Sequence, residues 1–105
     1  MDIEALEKLL GGPRDDALLR LTLGRALLDA GRVEDALAHL AEAVSRNPDY
    51  TAAWKTLGRA LQEAGDLDAA AGAYGRGIEV ARARGDVQAE KEMGVFLRRL
   101  DRARE

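Results

Sequence analysis

Leu23-Gly24-Arg25-Ala26-Leu27 returns as Leu57-Gly58-Arg59-Ala60-Leu61, 34 residues further along a chain of 105. Around this pair Ala30-Gly31-Arg32-Val33 is matched by Ala64-Gly65-Asp66-Leu67, and Ala36 with Leu40 by Ala70 with Tyr74, without a slip in register. A fixed period of this length marks a chain built from stacked supersecondary units. The apolar residues within each unit fall at helical spacing. Leu and Ala dominate them, aromatic residues make up only 4% and charged residues 33%, which is the composition of helices that pack on helices.

The glycines divide into two kinds. Gly24 and Gly58 lie inside the first helix of each unit, where a missing side chain lets a neighbouring helix approach. Gly31 and Gly65 follow the last residues of that helix and stop it in the left-handed conformation. Asp35, or Asp66 in the second unit, then stands near the start of the next helix, where an acid complements the helix dipole. Asn47-Pro48-Asp49 closes the first unit, because Pro48 lacks an amide donor and disfavours helix at Asn47.

A 34-residue unit with this order of small, turn and bulky positions resembles the tetratricopeptide repeat (TPR). In the second unit Trp54, Leu57, Gly58, Leu61, Gly65, Ala70 and Tyr74 occupy signature positions, with Leu61 where Tyr is usual. In the first, Leu23, Gly24, Leu27, Gly31, Ala36, Leu40, Ala43 and Pro48 match, with Arg20 in place of Trp. The resemblance implies an all-α fold, a right-handed α-α superhelix of about six helices. Residues 17–50 and 51–84 would form the two full repeats. Residues 1–12, with Ile3, Leu6, Leu9 and Leu10 on one face, read as a half-repeat helix ended by Gly11-Gly12-Pro13. Shifting back by 34 from Leu40 lands on Leu6. The second helix of the second repeat runs on to Arg84, since Arg82 replaces the closing Pro and Gly85-Asp86 is the first break. Residues 87–103 then cap the stack, with Met93, Phe96, Leu97 and Leu100 inward and Arg98, Arg99, Arg102 and Arg104 in water. Glu90 to Leu97 echoes Trp54 to Leu61 with a spacing of 36.

Catalytic signals are sparse. The single His39 is expected on a partly exposed surface, away from Ala36, Leu40 and Ala43. Gly72, Gly75 and Gly77 lack the strand and the Gly-Lys-Ser or Gly-Lys-Thr of a phosphate loop, and read instead as positions of close helix packing. Asp15-Asp16, Glu34-Asp35 and Asp66 with Asp68 fall at expected helix starts. With no cysteine and one serine, no nucleophile triad or thiolate metal site can be assembled. The chain reads as a non-enzyme that uses no cofactor or metal. A cytoplasmic setting is expected from the lack of cysteine and of any signal or membrane segment.

The TPR resemblance implies that the first helices line a concave groove that takes a protein or peptide. Leu21, Arg25, Lys55, Arg59, Gln62 and Lys91 are the expected contact residues. Arg25, Lys55, Arg59 and Lys91 form a basic ladder in a protein of net charge −3, suited to an acidic segment or chain terminus. Leu21, Arg25 and Thr56 stand where chaperone-tail TPR domains carry Lys, Asn and Asn, so that particular ligand is not expected. An alternative is self-association through Leu18, Leu21 and Leu28, giving a weak homodimer in place of a monomer. Nucleic acid is disfavoured, because the arginine-rich segment from Arg98 to Arg104 has no interleaved aromatics and is interrupted by Asp101.

Overall fold

The computed structural model describes residues 2–105, and among them there are six helices and no strand. They are α1 (Ile3–Glu7), α2 (Ala17–Asp29), α3 (Val33–Arg46), α4 (Thr51–Glu63), α5 (Leu67–Arg84) and α6 (Val87–Arg104). Antiparallel pairs α2/α3 and α4/α5 stack in sequence, α1 covers α2, and α6 lies along α5.

The turns follow from the backbone. Gly31, Gly65 and Gly85 take φ of 79°, 84° and 72°. In each case the next N–H folds back to a carbonyl five residues earlier: Arg32 to Leu27 at 2.9 Å, Asp66 to Leu61 at 3.0 Å and Asp86 to Ala81 at 2.8 Å. Asp16, Asp66 and Asp86 then accept from the N–H groups of Leu19, Ala69 and Ala89, capping α2, α5 and α6. Asp35 stands in the first turn of α3, as expected, and pairs with Arg32 at 2.9 Å, while α3 starts without a side-chain cap.

The N-terminal helix is shorter than its apolar spacing predicts. After Glu7 the N–H groups of Leu9 and Leu10 bond three residues back, to Leu6 and Glu7, tightening the chain into turns that end at Gly11, φ 80°. Ile3, Leu6 and Leu10 still rest on the core. Met1 lies outside the described residues.

Helix spacing is set at three positions. A Cβ on Gly24 would stand 2.6 Å from Leu40, one on Gly58 2.5 Å from the ring of Tyr74, and one on Gly77 2.5 Å from the sulfur of Met93. Gly72 and Gly75 differ from their expected role. A Cβ at either would meet nothing within 4 Å, so only Gly77 serves close packing. Leu23, Leu27 and Leu40 are fully enclosed in one core cluster, and Met93 and Leu100 of α6 in a second, against α5. Trp54 spans the joint between repeats: its indole N–H donates to the Pro48 carbonyl at 2.7 Å, and the Arg76 guanidinium lies 5.2 Å over its ring.

Asp15 does more than complement a helix start. Its side chain is 7% exposed and accepts two hydrogen bonds from Arg20, at 2.8 and 2.9 Å, one from Arg46 at 3.1 Å and one from the Gly11 N–H at 2.8 Å. The hub fastens the loop before α2 to both helices of the first repeat. Half-buried His39 completes it, its Nδ1 3.3 Å from Arg20. The Arg20 hydrogen bonds and then the Gly11 N–H hold the Asp15 carboxyl well below the usual carboxylate range, and Arg46 lowers Glu42 likewise. Burial, then the charge of Arg20, keeps His39 below its ordinary value.

Because the folded state lowers the Asp15 pKa, its stabilisation is present above the unfolded value of 3.8 and is lost as pH falls through the folded value. Urea midpoints should therefore fall between about pH 5 and about pH 2, and Asp15→Asn should flatten that slope while lowering stability at neutral pH. Gly72→Ala should raise stability by about 0.5–1 kcal/mol, as Ala replaces Gly in open helix. Gly58→Ala, against the Tyr74 ring, should lower it by about 1–3 kcal/mol in the same denaturation assay.

Candidate functional site

Lys55, Arg59 and Gln62 recur at three- and four-residue spacing and so share one face of α4. They border an open cavity of about 510 Å³, completed by Arg25 of α2, Thr56 of α4, Tyr74 of α5, and Phe96 and Arg99 of α6. The lining has four cations and no acid, in a protein of net charge −3.

The aromatic floor depends on Gly58. Without a side chain there, α5 comes close enough for the Tyr74 ring to lie against α4, 2% exposed. Its hydroxyl donates to Gln62 Oε1 at 3.2 Å, which leaves the Gln62 amide nitrogen free to donate outward. The Phe96 ring stands 5.7 Å from Tyr74, tilted by 48°. Burial raises the Tyr74 phenol above its ordinary value, with the Arg59 charge opposing, so the hydroxyl stays protonated at neutral pH. Thr56 is buried and returns its hydroxyl to the Ala52 carbonyl at 2.9 Å.

The cations differ in how far they are already engaged. Lys55 reaches Glu92 at 3.4 Å, and Arg59 reaches Asp29 at 3.2 Å and Glu63 at 3.6 Å, all at partly or largely exposed positions. Arg25 and Arg99 are exposed, and among the described residues neither forms an ion pair or a side-chain hydrogen bond. Exposed ion pairs are worth little and exchange easily. A carboxylate entering the cavity therefore meets two unpaired guanidiniums, each able to bind it through two N–H groups.

The sequence-based contact set is partly regrouped. Arg25, Lys55, Arg59 and Gln62 converge on the cavity. Leu21 does not: it is 2% exposed and belongs to the core. Lys91 lies on another face of α6, beside Ile78, Arg82 and Arg98. One cause accounts for both departures. α4 packs against α2, so the side of α2 that carries Leu21 is covered. α6 leans on α5 and scarcely touches α4, so the matching side of α4 stays open, and Lys55 meets Glu92 instead of lying beside Lys91. Leu28, at 3% exposed, is core as well, which reduces the apolar first-repeat face to Leu18, at 59%. Tyr74, Phe96 and Arg99 were not among the expected contacts. Their signal in the sequence was the Tyr at the Leu40 position and the three-residue spacing of Phe96 and Arg99 on the last helix.

Among the described residues no helix is long and apolar enough to cross a membrane, and no group of three His, Asp or Glu could hold a metal ion.

Comparison with known proteins fixes the family. A sequence model described as tetratricopeptide repeat matches residues 21–89. The chain belongs to the TPR family. A TPR repeat-containing protein of Pseudomonas aeruginosa is 55% identical over 104 residues, covering 99% of each chain. A Bordetella parapertussis protein with a solution structure is 43% identical with a TM-score of 0.84, over 98% of this chain and 90% of that one. The crystal structure of a TPR domain protein from Salinibacter ruber matches at 29% identity and TM-score 0.76, over 82% of this chain and 97% of that one. TPR domains generally mediate protein–protein interaction and are generally non-catalytic.

The burial of Leu21 sets an expected outcome. Leu21→Ala should cost about 2–5 kcal/mol in chemical denaturation, the range for truncating an enclosed leucine.

Proposed function

We propose that this TPR domain is a non-enzymatic interaction module whose cavity between α2, α4, α5 and α6 holds an acidic, chain-terminal segment of a partner protein. The observation that carries this reading is the pair Arg25 and Arg99. Both border one cavity with no acid in its lining, and neither has an ion-pair partner among the described residues. The Tyr74–Phe96 floor would accept an apolar side chain next to the carboxylate, while Gln62 donates to a peptide carbonyl. Lys55 and Arg59 would exchange their exposed acidic partners for the ligand.

The test is an amide chemical-shift titration with acidic, C-terminally free peptides at low and moderate salt. Saturable shifts are expected around Arg25, Lys55, Arg59, Phe96 and Arg99, with affinity of about micromolar order. Higher salt should weaken binding. Arg99→Glu should abolish most of it, and Lys91→Glu, on another face, should leave it nearly unchanged. Binding that moves only residues outside the cavity, or that survives Arg25→Glu and Arg99→Glu together, would overturn the reading.

A further inference from the structure

Gly94 holds in α6 the place that Gly24 holds in α2 and Gly58 in α4. Over Gly24 lies Leu40 of α3, and over Gly58 the Tyr74 ring of α5, each within 3 Å of where a Cβ would be. Over Gly94 a Cβ would meet only the guanidinium of Arg98, on its own helix, at 3.6 Å. Thus α6 carries the close-approach position of a first helix, and among the described residues no second helix lies on it. In its place is an open cavity of about 450 Å³, bordered by Ile78 and Arg82 of α5 and by Lys91, Gly94, Val95 and Arg98 of α6.

The other end of the stack has the opposite deficiency. α1 is in the register of a second helix, with Leu6 standing 34 residues before Leu40 and 68 before Tyr74, the two side chains that fill the space over Gly24 and Gly58. No first helix accompanies it among the described residues, and Leu6, Leu9 and Leu18 border an open cavity of about 260 Å³. Leu18 is 59% exposed there. Thr22 and Thr56 show the equivalence of the two surfaces: each returns its hydroxyl to the carbonyl four residues earlier. Thr56 is covered, at 5% exposed, on a helix that has α2 before it, whereas Thr22 is only half-buried.

Charge separates the two ends as well. α1 and its cap expose Asp2, Glu4 and Glu7 with the single cation Lys8. The outer side of α6 exposes Lys91, Arg98 and Arg102, and none of the three forms an ion pair among the described residues. The paired Arg82 and Glu90, at 3.0 Å, cancel each other beside them.

We propose that a second copy of this chain docks head to tail, its α1 lying in the seat on α6 with Leu6 over Gly94, so that two half-repeats from different copies make one complete repeat. The acidic side of α1 then faces Lys91 and Arg98, and Leu18 of the incoming copy is covered by α6. The contact uses different surfaces on the two copies, so it does not close on itself and can extend along a row of molecules. It shares no residue with the cavity of the proposed peptide site, which stays open in such a row. α1 spans only five residues, and the association it supports is accordingly weak and transient.

Sedimentation equilibrium on the 105-residue protein, from about 10 μM to about 1 mM, reads the association directly. The average mass should rise with concentration and fall back when salt is added. Gly94→Arg blocks one end and Leu18→Glu the other; Leu18 is largely exposed and a Cβ at Gly94 would meet only Arg98 of its own helix, so both variants should keep the helical circular dichroism of the parent. Each variant alone should be monomeric, while an equal mixture should form a one-to-one dimer, because each supplies the end the other lacks. A parent that stays monomeric throughout the range would overturn the proposal. So would self-association of Leu18→Glu alone, which would indicate α6 pairing with α6, or a mixture that remains monomeric.

Discussion

The distance between paired helices is set by a missing carbon atom. At Gly24 and again at Gly58 the neighbouring helix comes so close that even a methyl group would overlap Leu40 or Tyr74. That spacing closes the first repeat around Leu23 and Leu27, and it places the Tyr74 ring under α4. The floor of the cavity and the hydrogen bond from Tyr74 to Gln62 both depend on it. At Gly58, therefore, core and site rest on one residue, and neither can be altered there without the other.

A second constraint acts through charge. The loop from Gly11 to Asp16 has little apolar surface to hold it, and Asp15 fixes it by collecting donors from Arg20, Arg46 and the Gly11 backbone. Arg20 stands where the family usually carries tryptophan, which the second repeat keeps as Trp54. The two repeats thus solve one problem, joining a first helix to what precedes it, by different physics: an enclosed ionic hub in the first and an indole hydrogen-bonded to Pro48 in the second. Enclosed ion pairs bind strongly only when every partner is present, so protonation of Asp15 loosens the joint that leads into the first repeat.

Much of the fold was legible in the sequence because a 34-residue period carries its own geometry. Gly31, Gly65 and Gly85 mark turns that local backbone chemistry alone decides, and Arg25, Lys55, Arg59 and Gln62 converge because two equivalent helices present equivalent faces. What the sequence did not reveal was the lean of α6. α6 follows a spacing of 36 residues and so falls outside the fixed period, and its contact with α5 decides which residues turn toward the cavity. For that reason Arg99 and Phe96 border the cavity while Lys91 does not. Leu21 shows the same effect at the other end: Lys55 shares its place in the repeat, but a helix packs over one and none closes over the other.

Trp54 is the only tryptophan in the chain, and it is anchored to Pro48 and stacked beneath Arg76 at the joint between the repeats. Its emission consequently reports on that joint alone. Fraying that begins at α1 and spreads through α2 would leave the emission unchanged until it reached α4, whereas helicity would already have declined. A lag between fluorescence and circular dichroism would therefore give the direction in which this short stack comes apart, from a chromophore present in one repeat and absent from the other.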